Sequence, residues 1–410
     1  MLIPRLRLVL CLCAVAMSCL AGDKVRPGLE SLANEYRMAS GEEQAAVLAL
    51  KEPLLGGLDV SSALQDWFDG RLLASQKNLP LAKAKWQEAL AKLTCELSPL
   101  PPVPKRQWPN ADFTFLADLQ VADYPAVRCR VVSWKVGDLT QYGLLLLPKE
   151  AKERSCRLFL YCHGAAFGIP NSFCSWLCQH LVKRNYAVIA PAMRGEDLFQ
   201  RQIPIQGKPL VSEGEIENLD GEVDDCLSML SAAWKLPEIV PGEFAMVGHS
   251  FGAGVGLLTA AVAGSKCKAV VSYDAWLVNP QRYYWDRMRR GANNWLSWED
   301  YCCLPPLEQL QGLQKRSVIA QAEGLECSLL LFIGGAYQGS VFHLSHEDFC
   351  RRLKALDKAF QYQVIPEGDH NFVLWDGEPA RLALARQEEF LRKHYPPLPS
   401  AAEEAKDIQP

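Results

Sequence analysis

The stretch that most constrains this chain is residues 244–263. Phe244, Ala245, Met246 and Val247 form a short apolar run, Gly248, His249, Ser250, Phe251 and Gly252 follow, and small residues then continue to Ala263. A brief apolar run of this kind suits a strand buried on both faces, and a helix rich in Gly and Ala suits close packing on the sheet that the strand belongs to. The turn between them has to be sharp. Glycines at 248 and 252 remove Cβ atoms that would collide there, and the turn then pushes the Ser250 hydroxyl out at the top of the sheet. The G-x-S-x-G spacing predicts a nucleophilic serine. The competing reading is a glycine-rich strand-to-helix turn with no chemistry.

Such a strand needs neighbours, and the chain supplies them from about residue 105 onward. Segments 127–136 and 142–147 read as an initial strand pair. Segments 158–162, 187–190, 244–247, 269–273, 329–333 and 362–365 are short apolar runs, with helical patterning at 172–185, 219–235, 252–264 and 347–359. This alternation predicts an α/β fold: a mostly parallel sheet with helices on both faces. Before it, residues 22–104 carry helical periodicity in Leu29, Leu32, Ala33 and Tyr36, in Leu64, Trp67 and Phe68, and in Leu81, Trp86, Leu90 and Leu93. Pro53 and the glycines at 56 and 57 break the first stretch. Prolines between Ser98 and Pro104 make a linker. The expected organisation is therefore a signal peptide over 1–21, a helical extension and linker over 22–104, the α/β domain over 105–396, and a loose tail over 397–410.

The signal peptide is expected because Arg5 and Arg7 precede the apolar stretch Leu8 to Ala16, with small residues following through Gly22. The apolar run is too short to span a bilayer. Cleavage after Ala21 would give a secreted or periplasmic protein. Ala16, Met17, Ser18 and Cys19 loosely resemble a lipoprotein site, which would anchor the chain through Cys19 instead. The net charge of −4 gives no support to nucleic-acid binding. Of fifteen cysteines, Cys11, Cys13 and Cys19 lie in or beside the signal segment, and the remainder show no zinc-site spacing. Cys162, Cys226 and Cys267 sit in apolar runs as core thiols. Cys174 with Cys178, and Cys302 with Cys303, are the disulfide candidates.

A serine hydroxyl needs a base, and the base needs a carboxylate to orient it. On an elbow of this type the chain order is Ser, then acid, then His. Among the seven histidines, His370 stands in a loop after the 362–365 strand, beside Gly368 and Asp369, where the base belongs. The acid is less direct. Gln338 stands where a carboxylate often follows the penultimate strand. Asp274, at the end of the preceding strand, and Glu347 or Asp348, expected at a helix start, are the alternatives, and Asp274 is preferred. The amide after the nucleophile, Phe251, and that of Ala165 in the Cys162–Phe167 loop are the expected oxyanion donors. His163 is read as bracing that loop. The segment Arg194, Gly195, Glu196 and Asp197 is expected near the same rim. His343, His346 and Glu347 lack a third ligand at metal-binding spacing, and no metal or organic cofactor is required.

These segments together identify an α/β-hydrolase and resemble the platelet-activating-factor acetylhydrolase family. The resemblance covers about residues 155–375. It rests on Cys162–Phe167, on Gly248–Ala253, on Tyr273, Asp274, Ala275 and Trp276, on Leu331–Tyr337 and on His370, Asn371 and Phe372. In that family the aspartate of Asp-Ala-Trp is the triad acid, which implies Asp274. The Ala165 and Ala166 loop is less glycine-rich than the family's, the helical extension has no counterpart there, and dienelactone-hydrolase-like enzymes are neighbours. The resemblance implies a secreted serine esterase acting on short-chain acyl or acetyl esters of small molecules or lipids. A carbohydrate or polymer acetyl esterase and an inactive ligand-binding homologue are the alternatives. Segment 276–301 interleaves Trp276, Tyr283, Tyr284, Trp285, Trp295, Trp298 and Tyr301 with four arginines. It reads either as a peripheral membrane contact or lid, or as an insertion packing its aromatics inward.

Overall fold

The computed structural model describes residues 40–165, 168–200, 203–290 and 304–399. In chain order the helices are α1 (Gly41–Leu55), α2 (Ser61–Ser75), α3 (Leu79–Leu93), α4 (Asn171–His180), α5 (Gly221–Ala233), α6 (Ser250–Ala263), α7 (Pro280–Arg290), α8 (Pro306–Lys315), α9 (Val341–Ala355) and α10 (Glu378–His394). The strands are β1 (Thr114–Leu119), β2 (Val127–Val136), β3 (Leu139–Pro148), β4 (Arg157–Cys162), β5 (Tyr186–Ala192), β6 (Phe244–His249), β7 (Cys267–Tyr273), β8 (Ser328–Gly334) and β9 (Phe360–Ile365). The described residues fall into two compact units, one drawn from 40–104, 279–290, 304–320 and 336–346, the other from 105–165, 168–200, 203–278, 321–335 and 347–399.

The second unit holds one nine-stranded sheet, ordered β1-β2-β3-β5-β4-β6-β7-β8-β9. The β1/β2, β2/β3 and β3/β5 pairs are antiparallel, and every pair from β5 to β9 is parallel. β5 and β6 are buried along their whole length, as unbroken apolar runs in a doubly covered sheet should be. The register does the functional work. Cys162 pairs with Gly248, His249 with Tyr273, Tyr273 with Phe332, and Gly334 with Ile365. The residues after β4, β6, β7, β8 and β9 therefore emerge along one edge, where α/β sheets gather their functional groups. α10 closes one flank, with the buried Tyr273 hydroxyl donating to Gln387 Oε1 at 2.9 Å.

The expected strands are present, most with longer ends, and β1, α7, α8 and α10 are additions. β1 is a half-exposed edge strand, so it lacks the apolar run that marks its neighbours. α9 begins at Val341, which puts Glu347 and Asp348 well inside the helix and not at its start.

In the helical unit, α1 runs through Pro53 to Leu55 and stops at Gly56, so the proline does not break it. α3 buries Ala82, Trp86 and Ala89, while Leu81 is 55% exposed. The expected Leu81/Leu90/Leu93 face is displaced because Trp86 packs directly on Gly70, where an added Cβ would lie 2.4 Å from the indole nitrogen. Helices that close admit alanines beside the indole and turn leucines outward. On α7, Tyr283, Tyr284 and Trp285 are buried within the same unit. Trp285 Nε1 donates to Val47 O at 2.8 Å and the Tyr284 hydroxyl to Gln309 Oε1 at 2.7 Å. Trp295, Trp298 and Tyr301 lie outside the described residues.

Cys174 and Cys178 are free thiols on α4, not a bridge. Burial among apolar neighbours pushes them up to about 11 and about 12, which keeps them protonated and unreactive. Cys302 and Cys303 lie outside the described residues, as do the signal segment with Cys19 and the tail from residue 400. Among the described residues no helix is long and apolar enough to cross a membrane.

Candidate active site

Ser250 is the first residue of α6 and follows β6 directly. Its φ of 53° lies in the left-handed region, a strained state for a residue with a side chain and one that persists only where the surroundings impose it. The surroundings here are close. A Cβ on Gly252 would lie 2.3 Å from Cys162 O and 2.2 Å from His163 O, so the first turn of α6 presses on the end of β4. The strain turns the hydroxyl outward, and the Ser250 Oγ lies 2.7 Å from His370 Nε2. Phe251 is buried against Trp276, and its amide belongs to the first turn of α6, whose N–H groups have no intrahelical acceptor. Ala165 is exposed on the loop that follows β4.

His370 is half-buried in the loop after β9, and its backbone is held as well as its ring. His249 Nε2 lies 2.7 Å from His370 O, and since a carbonyl can only accept, His249 donates there. Burial lowers the His249 pKa and keeps the ring neutral for this duty. Asp369 Oδ1 accepts from Asn371 N at 2.8 Å, an Asx-turn that sets the loop's exit. His249 carried no expected role of its own, because only the fold brings β6 beside the 368–370 loop.

Asp274 follows β7 and is fully buried, with a left-handed φ of 47°. Its Oδ1 accepts from Gly334 N at 2.8 Å, whereas its Oδ2 is buried with no hydrogen-bond partner. Gly334 also touches the base loop. A Cβ there would lie 2.4 Å from Gly368 O and 2.8 Å from Asp369 O. Asp274 therefore reaches the His370 loop through Gly334. Burial is the main force raising the Asp274 carboxyl well above the usual range; the Gly334 bond opposes it and the Asp369 charge adds to it. The structure thus brings Ser250 and His370 into hydrogen-bond contact and sets Asp274 at the same edge with one oxygen uncommitted. Of the other acids weighed, Asp348 pairs with Arg351 along α9 and Glu347 precedes it on the same helix; Gln338, which stands where a carboxylate often does, is exposed.

Behind the loop after β4, His163 is buried and its Nδ1 lies 2.8 Å from Gly164 O, the bracing role expected of it. Buried Glu196 approaches from the segment after β5. Arg194 on that segment engages Asp225, with Nη2 at 2.8 Å from Oδ1, and Glu217.

Comparison with known proteins agrees with this fold. No curated protein matches the chain in sequence. An acetyl xylan esterase from Paenibacillus sp. R4 superposes with a TM-score of 0.53 at 16% identity, over 69% of this chain and 88% of its own. Acetyl xylan esterase 1 from Thermoanaerobacterium sp. JW/SL YS485 gives 0.48 at 17% identity, over 68% of this chain and 86% of its own. An acylaminoacyl peptidase from Pyrococcus horikoshii gives 0.48 at 17%, over 69% of this chain and 44% of its own. The first of these likenesses shows a shared fold. The sequence of residues 171–396 matches the prolyl oligopeptidase family, within the superfamily the motifs suggested; the finer resemblance to the platelet-activating-factor acetylhydrolases is not confirmed by this match. That match spans more than half of the chain and includes Ser250, Asp274 and His370, and the protein belongs to the prolyl oligopeptidase family of hydrolases.

Proposed function

We propose that this protein is an exported serine esterase that cleaves short-chain acyl esters through an acyl-enzyme. One observation carries the reading: a strained serine at a strand-to-helix turn whose hydroxyl lies 2.7 Å from an imidazole nitrogen. Ser250 Oγ attacks the ester carbonyl and gives its proton to His370 Nε2. The tetrahedral oxyanion is held by the amides of Phe251 and Ala165, the first reinforced by the dipole of α6. His370 then protonates the departing alcohol, leaving an acyl group on Ser250 that water removes by the same steps in reverse. Asp274 is the orienting acid in this scheme. Its uncommitted Oδ2 is the acceptor for the proton on the far imidazole nitrogen, and the imidazolium formed during reaction stabilises the buried carboxylate most when charge develops.

A fluorophosphonate probe tests the assignment. It should label wild-type protein and spare Ser250→Ala, and equal labelling of both would reject Ser250 as the nucleophile. Nitrophenyl esters from acetyl to octanoyl test the acyl preference, for which a falling profile is expected and a flat or rising one would contradict the short-chain claim. Acetylated phospholipid and acetylated oligosaccharide then separate the lipid from the carbohydrate class. The family match favours one second reading, cleavage of peptide amides, and a prolyl nitroanilide turned over faster than nitrophenyl acetate would establish it. Export rests on the N-terminal segment, and sequencing of the mature N-terminus should find Gly22 first.

A further inference from the structure

Glu196 contacts a loop that the hydrolytic scheme needs rigid. Glu196 Oε2 and His163 Nε2 are 3.3 Å apart, both buried, and neither atom has a hydrogen-bond partner. The tautomer of His163 follows from its other nitrogen. Gly164 O can only accept, so Nδ1 carries the ring proton and Nε2 presents a lone pair. A carboxylate facing that lone pair would place two acceptors together in a buried site. A carboxylic acid satisfies both atoms with one shared proton.

The second attachment of Glu196 is to the far end of the same loop, where it accepts from the Gly168 N–H. Gly164 in turn lies against the elbow, since a Cβ there would be 2.9 Å from His249 Nδ1 and 3.4 Å from Ser250 Cβ. One buried side chain thus ties both ends of the 163–168 loop, and that loop carries the Ala165 amide. Resting on the esterase reading above, we infer that Glu196 is a positioning residue that acts as a neutral acid, lending its proton to His163 to fix the oxyanion loop against Ser250.

The surroundings favour the neutral pair. Burial pushes Glu196 up to about 8, the carboxylates of Glu222 and Asp197 push the same way, and the Gly168 bond opposes them. Burial lowers His163 to about 4. Glu222, itself raised to about 7, is held by the amides of Glu217 and Asp220. Arg194, close in sequence, is engaged by Asp225 and Glu217. Loss of the Glu196 proton as pH passes about 8 should free the loop.

The test measures kcat and KM for nitrophenyl acetate against pH in the full-length protein. Glu196→Leu should lower kcat by about 100-fold with little change in KM, as misplacement of a donor does. Glu196→Gln keeps an N–H for His163 and an oxygen for Gly168, so it should recover most of kcat and lose the alkaline decline that wild type shows. His163→Leu combined with Glu196→Leu should be no worse than either alone. Unchanged kcat in Glu196→Leu, equal damage in Glu196→Gln, or additive losses would overturn the inference. If Glu196→Leu does not fold, the alkaline limb of Glu196→Gln decides, and its persistence overturns. If wild type is no faster than Ser250→Ala, the esterase reading itself has failed. Infrared titration then decides the clamp: a buried acid carbonyl band lost above about pH 8 and absent from Glu196→Gln supports it, and no such band overturns it.

Discussion

Asp274 and Glu196 are buried carboxyl groups on opposite sides of β6, one after β7 and the other after β5. Both are raised above the usual carboxylate range mainly by burial, and each accepts one backbone N–H, from Gly334 and Gly168 respectively. They differ in what the second oxygen meets. Both second oxygens are buried without a hydrogen-bond partner, but Glu196 Oε2 has the unprotonated His163 nitrogen 3.3 Å away. A carboxyl next to a lone pair is useful with its proton on. A carboxyl whose task is to stabilise an imidazolium is useful only with its proton off. The same desolvation therefore supports one role and works against the other, and under the proposed mechanism the charge created on His370 during reaction would offset it at Asp274.

Amide substitution at the two sites separates these roles most sharply. Asp274→Asn should reduce kcat by about 10,000-fold, because an amide stabilises neither the imidazolium nor the correct tautomer. Glu196→Gln should leave kcat within a small factor of wild type. Comparable losses in the two variants would erase the distinction, and a larger loss in Glu347→Gln than in Asp274→Asn would move the orienting role to α9.

Gly334→Ala probes the link between Asp274 and the base. The added methyl would meet Gly368 O at 2.4 Å and push the loop that carries His370. A kcat loss of about 100-fold is expected for a displacement on the order of 1 Å. Wild-type kcat in this variant would show that the loop can shift without moving the imidazole.

The smallest effects concern stability against pH. A carboxyl raised in the folded state binds its proton more tightly there than in the unfolded chain, so its contribution is fully present below its ordinary pKa and is lost as pH rises. For Glu196 the loss runs from 4.5 to about 8. The midpoint of thermal unfolding should fall across that window in wild type and fall less in Glu196→Gln. Asp274→Asn should unfold at a higher temperature than wild type at neutral pH, with the difference shrinking in acid. A lower midpoint at neutral pH would mean that the folded state already compensates the Asp274 charge.

The strand-to-helix turn at Ser250, the loop that brings His370 to it and the parallel strands were legible because each is written locally. Phe244–Val247 reads as a buried strand, and Gly248 and Gly252 announce the turn. β1 was not legible, since an edge strand carries no apolar run. Leu81 misled because the face α3 buries is chosen by how closely Trp86 approaches Gly70, a contact with another helix. The contacts of His249, of Glu196, expected only near the rim, and of Gly334 escaped for a related reason. Each acts through a neighbour far away in sequence, His370, His163 and Gly368, and their spacing bears no trace of that proximity.

The most direct test is to quench the reaction with nitrophenyl acetate early and map the adduct by mass spectrometry. An acetyl group on Ser250, absent from Ser250→Ala and formed far more slowly in His370→Ala, is the predicted result. Acetylation at another residue, or hydrolysis that proceeds unchanged in Ser250→Ala, would contradict the account.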